Sequence, residues 1–86
     1  MNTLQRDLKH FALRALLRAQ GQPINDDTLR SLLRSAFAHV ALTEADLARL
    51  IRELEASGLI TGTNDELFGL TWALSLKGKI KAGELQ

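Results

Sequence analysis

Residues 42–60 read LTEADLARLIRELEASGLI, and this stretch decides how the second half of the chain folds. Thr43 followed three residues later by Asp46 predicts a capped helix start, because hydroxyl and carboxylate oxygens can accept the free backbone N–H groups there. Apolar residues then recur at helical spacing, and Gly58 predicts the helix end because glycine adopts the left-handed conformation without strain. The apolar face of this predicted third helix consists of Leu47, Leu50, Ile51 and Leu54.

A hairpin and a short last helix are predicted after this stretch. The residues Thr63-Asn64-Asp65-Glu66 indicate a tight turn, because Asn and Asp tolerate the positive φ of two-residue hairpin loops. In the return strand the heavier side chains alternate with the lighter ones, so we expect this set to face the core: Phe68, Leu70, Trp72 and Leu74. Ser75 is then placed to cap a short helix that carries Lys77, Lys79 and Lys81.

Two further helices are predicted in the first half of the chain. Apolar spacing places the first over about Thr3 to Ala19, before Gln20-Gly21. Gly21-Gln22-Pro23 forms a turn, and Ile24 is positioned to staple the second helix, which either Asn25 or Asp26 caps. Its apolar face runs through Leu29, Leu32, Leu33, Ala36, Phe37 and Val40, with Arg30 and Arg34 on the outer flank. Across the chain, the residues predicted to be buried are Leu8, Phe11, Leu29, Leu33, Leu50, Leu54, Phe68 and Leu74.

Length and composition favour one domain over residues 1–86, since 86 residues leave no room for two hydrophobic cores. The chain has no cysteine and no apolar stretch approaching the roughly 20 residues of a membrane span. A soluble cytoplasmic protein is therefore expected. The net charge of +1 conceals a division: residues 1–34 carry six basic and three acidic groups, residues 35–72 two and six, and residues 73–86 three and one.

No enzyme chemistry is expected from this sequence, and no metal or other cofactor. The two histidines, His10 and His39, are far apart, and neither has a second histidine at the spacing of metal ligands. The six glycines are scattered rather than gathered in a phosphate-binding loop, and no serine lies in a nucleophile-elbow motif.

One face of the third helix is a candidate DNA-binding surface. Ala45, Ala48, Arg49 and Arg52 lie opposite its apolar stripe, and short alanines beside two arginines would let the helix approach a groove. Arg30 and Lys77 are the candidate contacts to the DNA backbone. Two features weigh against DNA: both arginines of the helix can instead pair with Glu44, Glu53 or Glu55, and the hairpin tip is acidic.

A second candidate surface lies on the first helix. Leu13 and Leu17 form a stripe turned away from Leu4, Leu8 and Phe11, which predicts a symmetric homodimer through this helix. The alternative is that the last helix or the Trp72 strand covers the stripe within one chain.

The segments LTEADLARLIRELEASGLI (42–60) and ALSLKGKIKAG (73–83), joined by the predicted ribbon, resemble the winged-helix superfamily of transcriptional regulators. In that family GLI opens the wing and a Leu-Thr/Ser-x-x-Gly segment closes it. The leucine-rich first helix and the Asn-containing start of the second resemble, more narrowly, small winged-helix proteins of Mu-like transposable prophages. The resemblance covers nearly the whole chain.

The fold expected from this resemblance is a winged helix-turn-helix: mainly α, with three helices, a β-hairpin wing and a short C-terminal helix. The resemblance implies binding to double-stranded DNA, linked to transcription, for the residues that match the recognition helix: Ala45, Ala48, Arg49 and Arg52. Winged helices also serve as protein-docking modules, so a protein-interaction module without DNA binding is the alternative function.

Overall fold

Helices form most of the chain in the computed structural model, which describes residues 3–84. The elements in chain order are α1 (Thr3–Arg18), β1 (Ile24–Asn25), α2 (Asp26–Ala36), α3 (Glu44–Ala56), β2 (Ile60–Asp65), β3 (Gly69–Leu74) and α4 (Leu76–Glu84). The predicted combination of three helices, a hairpin and a short last helix is confirmed. The second helix ends at Ala36, so Phe37 and Val40 of the predicted apolar face lie beyond it, and Leu32 on that face is 38% exposed.

The sheet has three antiparallel strands in the order β1–β3–β2. Its first strand is only two residues long and was not predicted: Ile24 lies opposite Trp72, and Asn25 lies opposite Thr71. Trp72 is therefore at the centre of the sheet, with Ile24 on one side and Gly62 on the other. A Cβ atom at position 62 would lie 2.7 Å from the indole ring, so this position has room only for glycine unless the ring moves.

The hairpin turn is displaced from its predicted position. β2 runs through Thr63 and Asn64 to Asp65, which lies opposite Gly69, so the turn consists of residues 66–68. The Asp65 carboxylate closes this turn by accepting the backbone N–H groups of Leu67 at 2.7 Å and Phe68 at 3.0 Å. Phe68 consequently lies in the turn rather than in β3. Its predicted burial is wrong, because 66% of the residue is exposed.

The core lies between α1, α2, α3 and the sheet. Five of the residues predicted to be buried are 5% exposed or less: Leu8, Leu29, Leu33, Leu50 and Leu54. Phe11 and Leu74 are half-buried against that cluster. The ring of Phe11 makes an edge-to-face contact with Phe37 at a centroid distance of 5.8 Å, at the end of α2.

The leucine stripe of α1 is covered within the chain. Leu13 is only 2% exposed, and Leu17 is half-buried against the core. α1 contacts both α4 and β3, the two elements considered above as alternatives to a second copy. The predicted dimer contact through this stripe therefore loses the support of Leu13, which is buried within the chain, while Leu17 is half-buried.

Candidate nucleic-acid interface

The outward face of α3 carries the predicted recognition residues together. Ala45, Arg49 and Arg52 are exposed and Ala48 is half-buried, while the opposite face of the helix is buried in the core. Within residues 3–84, neither arginine has a carboxylate oxygen within 4.0 Å. The predicted face is thus present, and the pairing with Glu44, Glu53 or Glu55 is not formed.

The first turn of α3 is held by the predicted capping box. The Thr43 hydroxyl accepts the backbone N–H of Asp46 at 3.1 Å, and the Asp46 carboxylate accepts the backbone N–H of Thr43 at 3.0 Å. This backbone hydrogen bond lowers the pKa of Asp46 below its ordinary value of 3.8, with contributions from the Thr43 hydroxyl and the charge of Arg49. The carboxylate therefore stays ionised while it closes the helix start.

A polar chain connects this helix start to the sheet. Glu44 accepts Arg30 Nη1 at 3.0 Å and also pairs with Arg34. Arg30 Nε in turn donates to Asp26 Oδ2 at 2.9 Å, and the other oxygen of Asp26 accepts the indole N–H of Trp72 at 2.9 Å. The side chains from Trp72 to Arg34 thus link β3, α2 and α3. Its members were not predicted to meet, because Asp26, Glu44 and Trp72 are far apart in sequence.

The two candidate contacts to the DNA backbone are engaged within the chain. Arg30 belongs to the polar chain, and 24% of its side chain is exposed. Lys77 Nζ donates to the carbonyl oxygen of Ser57 at 2.9 Å, at the C-terminal end of α3. Either side chain would have to exchange an internal partner for a phosphate.

Close backbone packing holds the C-terminal end of α3. Gly58 has the predicted left-handed conformation, with φ of 75°, and its carbonyl accepts the Ser75 hydroxyl at 2.5 Å. The same hydroxyl accepts the backbone N–H of Gly78 at 3.0 Å, so Ser75 caps α4 as predicted. Gly78 lies so close to Leu59 that a Cβ atom there would be 1.9 Å from the Leu59 carbonyl oxygen.

The acids around α3 are mostly compensated by contacts inside the chain. Glu44 faces two arginines of α2, and Asp46 is hydrogen-bonded in the capping box. Glu53 forms an ion pair with Lys9 of α1, with 3.0 Å between Oε2 and Nζ. Glu55 has no ion-pair partner within 4.0 Å among residues 3–84. Glu44 and Glu53 are therefore offset locally by cations from the first two helices.

The hairpin tip, residues 65–68, has a surface that the sequence analysis did not anticipate. Leu67 is 86% exposed and Phe68 is 66% exposed, beside the acidic Asp65 and Glu66. The amide of Asn25, which also caps α2, donates to the Phe68 carbonyl and fixes the tip to the rest of the fold. The sequence pattern missed this surface because it placed the turn at residues 63–66. With the turn at residues 66–68, Leu67 and Phe68 lie outside the strand and outside the core.

Two further observations concern the described range, residues 3–84. No group of three His, Asp or Glu side chains there is close enough to hold a metal ion. No helix there has the length and apolar character needed to cross a membrane.

Comparison with known proteins identified no relative of this chain. No protein-family model matches the chain, and neither the curated proteins nor the solved structures contain a match.

Proposed function

We propose that this chain is a winged-helix protein that binds double-stranded DNA through α3 and acts in transcriptional regulation. The order of elements supports this proposal: α2 and α3 precede a hairpin whose return strand pairs with a short strand before α2. In the helix-turn-helix arrangement the second helix of the pair enters the major groove, and α3 is that helix here.

The observation that carries the proposal is the unpaired arginine face of α3. Arg49 and Arg52 are one turn apart, exposed, and without an acidic partner within 4.0 Å in residues 3–84. The side chains of Ala45 and Ala48 are short, so this face of the helix can approach a groove closely. Guanidinium groups in this position can form paired hydrogen bonds with a guanine edge or bind phosphate oxygens.

The compensation of the neighbouring acids also supports DNA binding. A row of free carboxylates beside the arginines would repel a polyanion, but Glu44 and Glu53 each have a cationic partner. Asp46 keeps its charge, and it lies at the N-terminus of α3, where the helix dipole compensates for it. The outward face of α3 is therefore more positive than the numbers of basic and acidic residues in 35–72 suggest.

A titration of mixed-sequence duplex DNA at low and moderate salt tests the proposal. The double variant Arg49→Ala, Arg52→Ala is expected to bind at least about 30-fold more weakly than the wild type, because each of the two arginine contacts is worth about 1–3 kcal/mol and 1.4 kcal/mol is a factor of ten. The slope of log affinity against log salt should fall by about 0.9 for each phosphate contact that is lost.

The matched control is Arg14→Ala, Arg18→Ala, which removes the same charge from exposed positions on α1. This control should lower the affinity much less than the α3 double variant. Equal losses in the two double variants would show that net charge alone attracts DNA, and no binding at low salt would end the proposal.

A protein-interaction module without DNA binding is the second candidate, and the hairpin tip favours it. A hairpin that follows a DNA backbone gains from basic side chains, whereas this tip exposes Leu67 and Phe68 beside two acids. If the titration shows no binding while the protein is folded, this candidate becomes the leading one.

A further inference from the structure

The largest exposed apolar side chains in residues 3–84 form two separate patches. One is the hairpin tip, residues 65–68. The other, here called the α4 patch, is formed by Leu76 at 76% exposure and Ile80 at 61%, together with the half-buried Leu59 and the flanking Lys77 and Lys81. Leu32 is the remaining large exposed apolar residue in this range, at 38%.

The two patches have opposite charges. Asp65 and Glu66 flank the apolar residues of the tip, and Lys77 and Lys81 flank those of the α4 patch. Glu84 is the acidic residue at the far end of the α4 patch. One chain thus displays both halves of a complementary contact, each with an apolar centre and a charged border.

Both patches are preformed. The tip is held by three hydrogen bonds, because the Asp65 carboxylate accepts two backbone N–H groups of the turn and Asn25 donates to the Phe68 carbonyl. The α4 patch surrounds a shallow groove of about 370 Å³ between Leu59 and the exposed side of α4. Binding would therefore lose little conformational entropy beyond the ordering of a few side chains.

We propose that the hairpin tip of one copy docks on the α4 patch of a second copy. Leu67 and Phe68 then lie against Leu76 and Ile80, and the acids of the tip face the lysines of α4. This contact uses neither Arg49 nor Arg52, and it shares only Lys77 with the candidate DNA contacts.

The position of the patches allows the assembly to close. They lie at opposite ends of β3, whose six residues span about 20 Å at roughly 3.3 Å per residue, so a tip cannot reach the α4 patch of its own chain. Two copies with antiparallel β3 strands, related by a two-fold axis, can each give a tip and receive one. The expected assembly is a closed homodimer, through a surface different from Leu13 and Leu17.

Sedimentation equilibrium without DNA, over roughly 10 to 500 µM, tests the association. The wild type is expected to approach twice the monomer mass at the upper end. The double variant Leu67→Ser, Phe68→Ser should weaken association at least 100-fold, while Leu32→Ser, an exposed leucine outside both patches, should leave it unchanged. A monomeric wild type, or equal association of the tip variant and the wild type, overturns the proposal.

A charge exchange shows whether the tip meets α4. Glu66→Lys and Lys81→Glu change exposed residues without an ion pair in residues 3–84, so the circular dichroism spectrum of each variant should match that of the wild type. Each variant alone is expected to associate about tenfold more weakly than the wild type, and an equimolar mixture should recover association. Failure of the mixture to exceed either variant alone would exclude the pairing of these two patches.

Discussion

The two ends of α3 are held by different physical interactions. At the N-terminal end, charged and polar side chains hold the helix. They form the capping box of Thr43 and Asp46 and the ion pairs of Glu44 with two arginines of α2. At the C-terminal end the backbone of Gly78 lies against the carbonyl of Leu59 with no room for a side chain. Lys77 and Ser75 also donate hydrogen bonds to the Ser57 and Gly58 carbonyls at this second end. The feature that separates the two ends is the steric contact of Gly78, which the first end lacks.

Because of this difference, we expect different perturbations to change the stability of each end. Exposed charge interactions are weak and are screened by salt, so the N-terminal end should respond to charge, ionic strength and pH. Close packing of backbone against backbone does not depend on salt but tolerates no added atoms. The N-terminal end is also the one beside the proposed DNA-binding face, so its electrostatic balance affects function as well as stability.

The largest effect is expected at the steric end. Gly78→Ala puts a Cβ atom 1.9 Å from the Leu59 carbonyl oxygen, so α4 must move away. We expect a loss of about 3 kcal/mol in the free energy of unfolding, measured by urea titration. The matched control is Gly83→Ala on the same helix, where a Cβ atom meets nothing within 4 Å. It should be neutral or more stable by about 0.5–1 kcal/mol, and equal destabilisation by both variants would refute the steric account.

Trp72→Phe tests the far end of the polar chain. It removes the indole N–H that donates to Asp26 and leaves the ring position between Ile24 and Gly62 partly empty. We expect a loss of about 1–3 kcal/mol in unfolding free energy. A double-mutant cycle with Asp26→Ala should show coupling of about 0.5 kcal/mol or more, and strict additivity would mean that the hydrogen bond contributes nothing.

Glu44→Gln weakens the electrostatic end directly. Because 68% of the Glu44 side chain is exposed, we expect the unfolding free energy to fall by only about 0.5–1 kcal/mol at low salt. The difference should shrink at high salt. The control is Glu55→Gln, an exposed acid of the same helix without an ion pair in residues 3–84, for which a change within about 0.5 kcal/mol is expected.

The same variant also tests the proposed function. Loss of the Glu44 charge frees Arg34 and leaves Arg30 paired with Asp26 alone, so DNA affinity at low salt should rise rather than fall. Unchanged affinity in Glu44→Gln would mean that α2 lies away from the DNA.

The smallest effect is the pH dependence of Asp46. Its pKa in the folded chain is lowered below 3.8, so its stabilising contribution is present above that value and is lost as pH falls through the folded pKa. In Asp46→Asn this part of the pH dependence should disappear. Urea titrations from about pH 6 down to about pH 2 should show the two proteins converging at the acid end. A constant stability difference across that range would assign the role of Asp46 to packing instead.

Sequence patterns predicted the parts of the fold that depend on nearby residues. The capping box of α3 needs only Thr43 and Asp46, and the helix end at Gly58 needs only one residue with the right backbone freedom. The arginine face of α3 follows from helical spacing alone. Each of these features is settled within one or two helical turns.

The features that were missed depend on distant residues. The turn at residues 63–66 was plausible locally, but the pairing of Gly62 with Trp72 carries β2 on to Asp65 and moves the turn to residues 66–68. β1 is too short to show an alternating sequence pattern. It is a strand because Ile24 and Asn25 pair with Trp72 and Thr71 of β3. The partners of Glu44 are on another helix, so no spacing rule along α3 could reveal them.

Because Trp72 is a member of the polar chain of side chains, changes in these contacts can be followed by tryptophan fluorescence. The chain contains one tryptophan and no tyrosine, so its near-ultraviolet emission comes almost entirely from this one indole. The ring is buried in the centre of the sheet and hydrogen-bonded to the Asp26 carboxylate, the first link toward α3. A shift in the emission maximum on adding duplex DNA would therefore report a rearrangement around the Trp72–Asp26 hydrogen bond, with no dye attached to the protein.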